Sequence, residues 1–261
     1  NGNLGLNQPG AWPDQMRSSP TQVGSDTNWT AVAGGAKFLL ARKSNGELWS
    51  WGLNGNGQLG QNSVSTPDNS GYSSPVQIPG TSWSNNIVGG QTSAWAIRTD
   101  GTLWAWGNNF QEGQLGLNNR TSYSSPVQVG SGTDWALLHK NTTYSRQLMA
   151  VKTDGTLWAA GNNAYGGLGQ NSTTQYSSPV QIPGTWSTTI QPIIANYGRR
   201  AMAIKSDNTL WAWGRNIYGV LGQNSETTYS SPVQIPGSWA DVINAGSAAF
   251  GIKKSLTPSQ L

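Results

Sequence analysis

Ala96-Ile97-Arg98-Thr99-Asp100-Gly101-Thr102-Leu103-Trp104-Ala105-Trp106 reads as two short strands around an Asp-Gly turn, the strongest short-range hairpin signal. The period of two places Trp104 and Trp106 on one face and Leu103 on the other. A strand with large apolar groups on both faces must be covered on both faces. The same hairpin recurs at Asn45-Gly46, Asp154-Gly155 and Asp207-Asn208.

The recurrence extends beyond the hairpin. Ser-Ser-Pro places its proline at Pro20, Pro75, Pro126, Pro179 and Pro232, spaced 51–55 residues apart. A Gly-x-Leu-Gly element precedes each, from Gly2, Gly57, Gly113, Gly166 and Gly219. Leu-Trp recurs at Trp49, Trp104, Trp158 and Trp211, and a lone Trp follows each proline stretch at Trp29, Trp83, Trp135, Trp186 and Trp239. Units of this length with about four short strands predict the blades of a β-propeller rather than the shorter repeats of a solenoid. The chain is expected to form one all-β domain over 1–261, with about five repeats near 2–56, 57–112, 113–165, 166–218 and 219–255, alone or as part of a larger ring.

Composition agrees and excludes alternatives. The 261 residues hold 34 Gly and 14 Trp, with only 10% charged residues. Disorder goes with few aromatics and high charge, and a membrane-spanning helix needs roughly 20 apolar residues in a row. Neither is present. Straight-chain helix formers are scarce, while Trp buries much area per residue. The net charge of +4 comes without any basic run longer than the pairs Arg199-Arg200 and Lys253-Lys254, so no nucleic-acid partner is expected. With no cysteine, disulfides, thiolate zinc sites and cysteine nucleophiles are excluded together.

Trp51-Gly52-Leu53-Asn54-Gly55-Asn56-Gly57-Gln58-Leu59-Gly60 and Trp106-Gly107-Asn108-Asn109, leading to Gly113-Gln114-Leu115-Gly116, carry a more specific signal. So does Trp213-Gly214-Arg215-Asn216 leading to Gly219-Val220-Leu221-Gly222, while the third copy departs with Ala160 in place of Trp. These motifs resemble the repeat of the RCC1 (regulator of chromosome condensation) superfamily across essentially the whole chain. The resemblance implies a propeller, usually of about seven blades, and no single activity. By phase, Asn1 falls in a loop that should follow a Leu-Trp-x-Trp-Gly strand, and Leu256-Thr257-Pro258-Ser259 replaces that strand at the other end. An upstream strand, and with it further blades, is the expectation.

The search for chemistry finds little. His139 is the single histidine and is expected on the surface or in a loop; without a second His or any Cys it does not make a zinc site. Asp100, Asp154 and Asp207 occupy hairpin turns, where an Asx side chain satisfies local backbone groups. Asp14, Asp68, Glu112 and Glu226 are scattered, and nothing pairs them as glycoside hydrolysis requires. Gly-x-Leu-Gly lacks the Lys-Ser/Thr of a phosphate loop. No enzyme activity, cofactor or metal is expected.

Recognition remains. Copies disagree most at Ser65 to Gly71, His139 to Gln147 and Gln191 to Arg200, and the latter two share a phase. They hold Tyr144, Arg146, Tyr197, Arg199 and Arg200, the Tyr/Arg composition enriched at interfaces, and are the expected partner surface. Phe110, Tyr165 and Tyr218, beside Asn109, Asn163 and Asn216, offer aromatic platforms with amides that suit sugar rings. Asn28, Asn119, Asn141 and Asn171 begin Asn-x-Ser/Thr triplets, acceptors for N-glycosylation if the host secretes and glycosylates the chain. The low charge and abundant Asn, Ser and Thr point to a non-catalytic module outside a cell or on a virion surface. It would bind protein or glycan, or assemble with copies of itself or other surface proteins, without membrane insertion. The resemblance also implies two other roles, nucleotide exchange on a small GTPase and inhibition of a secreted enzyme.

Overall fold

The computed structural model describes residues 3–7, 17–65, 70–140, 144–195, 197–245 and 248–254. Eighteen strands and no helix occur among them. The first sheet joins β1 (Trp29–Gly34), β2 (Phe38–Lys43), β3 (Leu48–Leu53) and β4 (Gly71–Ile78) in that order, each antiparallel to the next. The pattern repeats in β5 (Trp83–Gly89), β6 (Ser93–Arg98), β7 (Leu103–Gly107) and β8 (Tyr123–Gln128). It repeats again in β9 (Trp135–Leu138), β10 (Gln147–Lys152), β11 (Leu157–Gly161) and β12 (Tyr176–Ile182). The fourth sheet is β13 (Ile193–Ala195), β14 (Arg200–Ile204), β15 (Leu210–Gly214) and β16 (Tyr229–Ile235), and β17 (Trp239–Ala245) pairs with β18 (Ala248–Lys253). These are propeller blades. Each begins at or shortly after the lone Trp rather than at Gly-x-Leu-Gly, so the sequence units are the same repeat cut at another point.

First strands touch from blade to blade, as β1 does β5 and β13 does β17, and they face the axis. Fourth strands form the rim, and each carries its proline, Pro75, Pro126, Pro179 or Pro232. Proline has no N–H to offer a further strand, so these edges are blunted.

Alternation in the third strand assigns its two faces to two different blade junctions. Trp106 and Trp104 pack with Leu40 and Ala94 between the first and second blades, while Leu103 and Ala105 pack with Leu148 and Ala150 between the second and third. Trp106 Nε1 donates to the Gln58 carbonyl of the preceding blade at 3.0 Å; Trp213 does so to Gly167 at 2.8 Å, and Trp51 to Asn3 at 3.0 Å. The glycines of Gly-x-Leu-Gly serve this approach. Gly60 has φ +68°, and a Cβ there would lie 3.1 Å from Trp106 Nε1.

Register also explains where the basic residues go. Lys43, Arg98, Lys152 and Lys253 pair across strands with the lone Trp29, Trp83, Trp135 and Trp239, and Lys205 bridges to Trp186. In the first four blades the cation also lies over the second tryptophan, 4.1 Å from Trp49, 4.1 Å from Trp104, 5.2 Å from Trp158 and 3.8 Å from Trp211. Below it, Asp100, Asp154 and Asp207 each accept from the N–H and hydroxyl of the Thr two residues on, which holds their carboxyls below the usual range.

Candidate functional site: an aromatic and arginine face

In every blade the connection between first and second strands and that between third and fourth emerge on one face of the ring. The Asx-turn hairpins and the inter-blade connectors occupy the other. Tyr144 and Tyr197 belong to the first kind of connection, in neighbouring blades, and their rings meet at 5.3 Å. Tyr197 is a non-glycine residue at φ +62° and remains 38% exposed. Few bulky residues adopt that conformation, and such outliers cluster at binding and active sites.

Arginines surround the pair. Arg146 lies 6.0 Å from the Tyr197 ring centre and Arg199 lies 5.7 Å from it. Arg199 also lies 5.4 Å from the Tyr165 ring, which Arg215 approaches at 4.8 Å. Arg146 is held from below: its Nη1 donates to Glu112 Oε1 at 3.1 Å and its Nε to Gln91 Oε1. Among the described residues no carboxylate lies within 4 Å of Arg199 or Arg215, so the charge of these two guanidiniums is not cancelled by an ion pair. Stacking uses the flat faces of a guanidinium and leaves its N–H edges directed outward.

Four of the five residues expected to form the partner surface therefore meet: Tyr144, Arg146, Tyr197 and Arg199. Arg200 does not. It is 5% exposed at the start of β14, a strand buried along its whole length, where it pairs with Gly214 and Ala195, and burial lowers its pKa. Tyr165, expected among glycan platforms, lies in the arginine cluster. Phe110 and Tyr218 are on the same face and are about three-quarters exposed.

The amides expected beside them are not available to a sugar. Asn109, Asn163 and Asn216 are fully buried, and each bridges its own loop. Their Oδ1 atoms accept from the N–H of Leu115, Leu168 and Leu221, and their Nδ2 groups donate to the carbonyls of Asn119, Ser172 and Ser225. Asn54 does the same in the first blade. A residue at one phase of every repeat is satisfying backbone groups there, which the sequence could have signalled. Of the glycosylation triplets, Asn28 and Asn171 are exposed and Asn141 lies outside the described residues. Asn119 is part-buried, against the expectation of a free acceptor: its Nδ2 donates to the Leu117 carbonyl and the Tyr123 hydroxyl, so a glycan there would open the loop.

His139 lies in the loop that follows β9, but not at the surface. It is fully buried, edge-on to Trp95 at 5.8 Å, with Nδ1 donating to the Lys140 carbonyl. Burial pushes its pKa down to about 4, so the ring is neutral at pH 7. Among the described residues no group of three or more His, Asp or Glu is placed to hold a metal ion, and no helix is long and apolar enough to cross a membrane.

Comparison with known proteins agrees with this geometry. Models of the regulator of chromosome condensation (RCC1) repeat match residues 29–58, 45–95, 100–136, 154–194 and 207–247. The ultraviolet-B receptor UVR8 of Arabidopsis thaliana is 30% identical over 204 residues, 78% of this chain and 45% of its own. The human probable E3 ubiquitin-protein ligase HERC4 is 26% identical over 82% of this chain and 20% of its own. The chain thus spans less than half the length of these relatives. Among solved structures, human WBSCR16 superimposes with a TM-score of 0.72 at 21% identity, over 93% of this chain and 63% of its own. Prp20p from Saccharomyces cerevisiae gives 0.74 at 16% identity, over 96% of this chain and 62% of its own. At these identities the structures speak for the fold alone.

Proposed function

The chain belongs to the regulator of chromosome condensation (RCC1) repeat family, and from that premise we propose that it is a non-catalytic binding propeller whose protein partner docks on the face where Tyr144, Tyr197 and Arg199 meet. One observation carries the reading: a strained, part-exposed Tyr197 sits among two arginines, Arg146 and Arg199, and a second tyrosine, contributed by loops of neighbouring blades. Tyr and Arg are the residues that dominate interface energetics, and a positive aromatic face favours an acidic partner surface. Protein binding is described for structures with this fold, Prp20p with Gsp1p and histones, and yeast RCC1 with Kap60. Composition supports a setting outside a cell or on a particle surface, which detection in the secreted or particle-bound fraction would check.

Affinity capture with the wild-type chain, Tyr197→Ala/Arg199→Ala and a control altered in the Asx-turn hairpins tests the proposal. The protein held by wild type and control should be lost from the double variant by about tenfold or more, the loss of roughly one hot-spot contact. Equal retention by all three would move the site to another surface.

A further inference from the structure

Two neighbouring blade junctions treat one arginine position differently. Arg146 and Arg199 occupy it, each immediately before the second strand of its blade, β10 or β14. The carbonyl of each accepts from the loop that leaves the third strand, from Asn162 N–H at 3.0 Å and from Arg215 N–H at 2.7 Å. The residue facing that arginine comes from the preceding blade, one position before Gly-x-Leu-Gly. Between the second and third blades it is Glu112, which pairs with Arg146 at 3.1 Å. Between the third and fourth it is Tyr165, whose ring centre lies 5.4 Å from Arg199. An aromatic ring stands where the acid stood, and Arg199 keeps its charge.

A second charge is added at the same place. The second and third blades have Asn108 and Asn162 after their third strands, and these brace their loops by accepting from the N–H of Phe110 and Ala164. The fourth blade has Arg215 instead, with its guanidinium 4.8 Å from the same Tyr165 ring. Both arginines are part-exposed, and among the described residues neither guanidinium has an ion pair or a hydrogen bond. Like charges on adjacent positions repel. Glu to Tyr and Asn to Arg thus turn a neutral pair into two uncancelled positive charges over one ring.

A group that neutralises both must bring two negative charges and oxygens for two guanidinium forks. A carboxylate has one charge and matches a single fork. A phosphate monoester carries about −1.5 to −2 at pH 7 and three strong acceptor oxygens. We propose that Arg199 and Arg215 clamp the phosphate of a phosphorylated residue on the protein partner. The source of that phosphate rests on the docking face proposed above; its chemistry rests on the two arginines.

Arginine Nε–H resonances of the full chain, followed while the N-acetyl amides of phosphoserine and phosphotyrosine are added to about 20 mM, test it at the millimolar affinity usual for one small contact set. At least one should shift Arg199 and Arg215 saturably, leave Arg98 at the hairpin face unmoved, and bind about tenfold tighter than its O-sulfate counterpart, which has one charge fewer. Arg215→Asn, the residue of the neighbouring blades, should weaken binding by about tenfold or more, the loss of one charge-assisted contact. Tyr165→Glu, which supplies the acid that Arg146 has, should do the same. No saturable shift, sulfate binding equal to phosphate, or an undiminished response in both variants would each overturn the clamp. Glucose 6-phosphate binding as tightly as both amides would overturn the assignment to a protein-borne phosphate. Arg215→Asn keeps Tyr144, Tyr197 and Arg199, so a variant that loses the phosphate amides but still captures the partner fully would overturn the clamp's part in docking and leave the face itself standing.

Discussion

The blade junctions solve one packing problem in two ways. Between the first and second blades the space is filled by Leu40, Ala94 and Trp106; between the third and fourth, by Met149, Ala201 and Trp213. The middle junction has Trp95, Leu148 and Ala160 at the same three positions. The indole has moved to the preceding blade, and a leucine takes the room left in the following one. A Cβ on Gly116 would lie 3.1 Å from Leu148 Cδ2, where Gly60 and Gly169 meet Trp106 and Trp213 at 3.1 and 3.2 Å. Volume is kept while its source changes sides, as cores permit when total volume and pattern hold. The same junction contains buried His139 and the lengthened connector from Gly130 to Asp134, with the Arg146–Glu112 pair spanning it on the opposite face. Departures from the repeat have gathered at one place.

Removing a regular wedge should cost most. Trp106→Ala is expected to lower stability by about 3–5 kcal/mol, the range for emptying a buried aromatic site, read by chemical denaturation. A loss below about 1 kcal/mol would mean that the wedges do not hold blades together.

The buried histidine makes the irregular junction sensitive to acid. The unfolded ring takes up a proton near pH 6.5, the folded one only near 4. Stability is therefore full above pH 6.5 and falls as pH drops through that window, by up to about 3 kcal/mol. His139→Gln should flatten that limb of the stability profile. An unchanged slope would assign it to other groups.

Ala160→Trp tests whether the two solutions exclude each other. Alone it overfills the middle junction and should cost about 1–3 kcal/mol. Adding Trp95→Met and Leu148→Ala, which reproduces the Met149, Ala201 and Trp213 set, should recover most of the loss. If the triple variant is no better than the single, the junctions differ by more than these three residues.

Tyr197→Gly has the smallest expected effect on stability and the opposite sign. Relieving a left-handed φ should raise stability by about 1 kcal/mol while weakening partner binding. A gain without loss of binding would make the strain incidental to the face.

Architecture was legible in the sequence because blade packing repeats: Trp106, Pro126 and the Asp-Gly turn each recur at one phase with a physical reason. The same logic, applied to Asn109, Asn163 and Asn216, would have read them as loop braces rather than glycan ligands. A search for basic runs passes over the fixed phase of Lys43, Arg98, Lys152 and Lys205 before the turn, which places each between two tryptophans. Arg200 shares its loop phase with Arg199, but the strand starts between them, and a boundary of one residue decides which side chain is buried.

The hydrogen bonds from Trp51, Trp106 and Trp213 all run backward along the chain, each indole reaching a loop made earlier. A blade so built never waits for the next one to complete the bond at its own entrance. Emerging N-terminus first, the chain can seat each new blade on one already in place, in the order of synthesis. The third blade, with Ala160, has no such indole to lock it backward. Folding during synthesis should pause there, with the earlier blades already assembled.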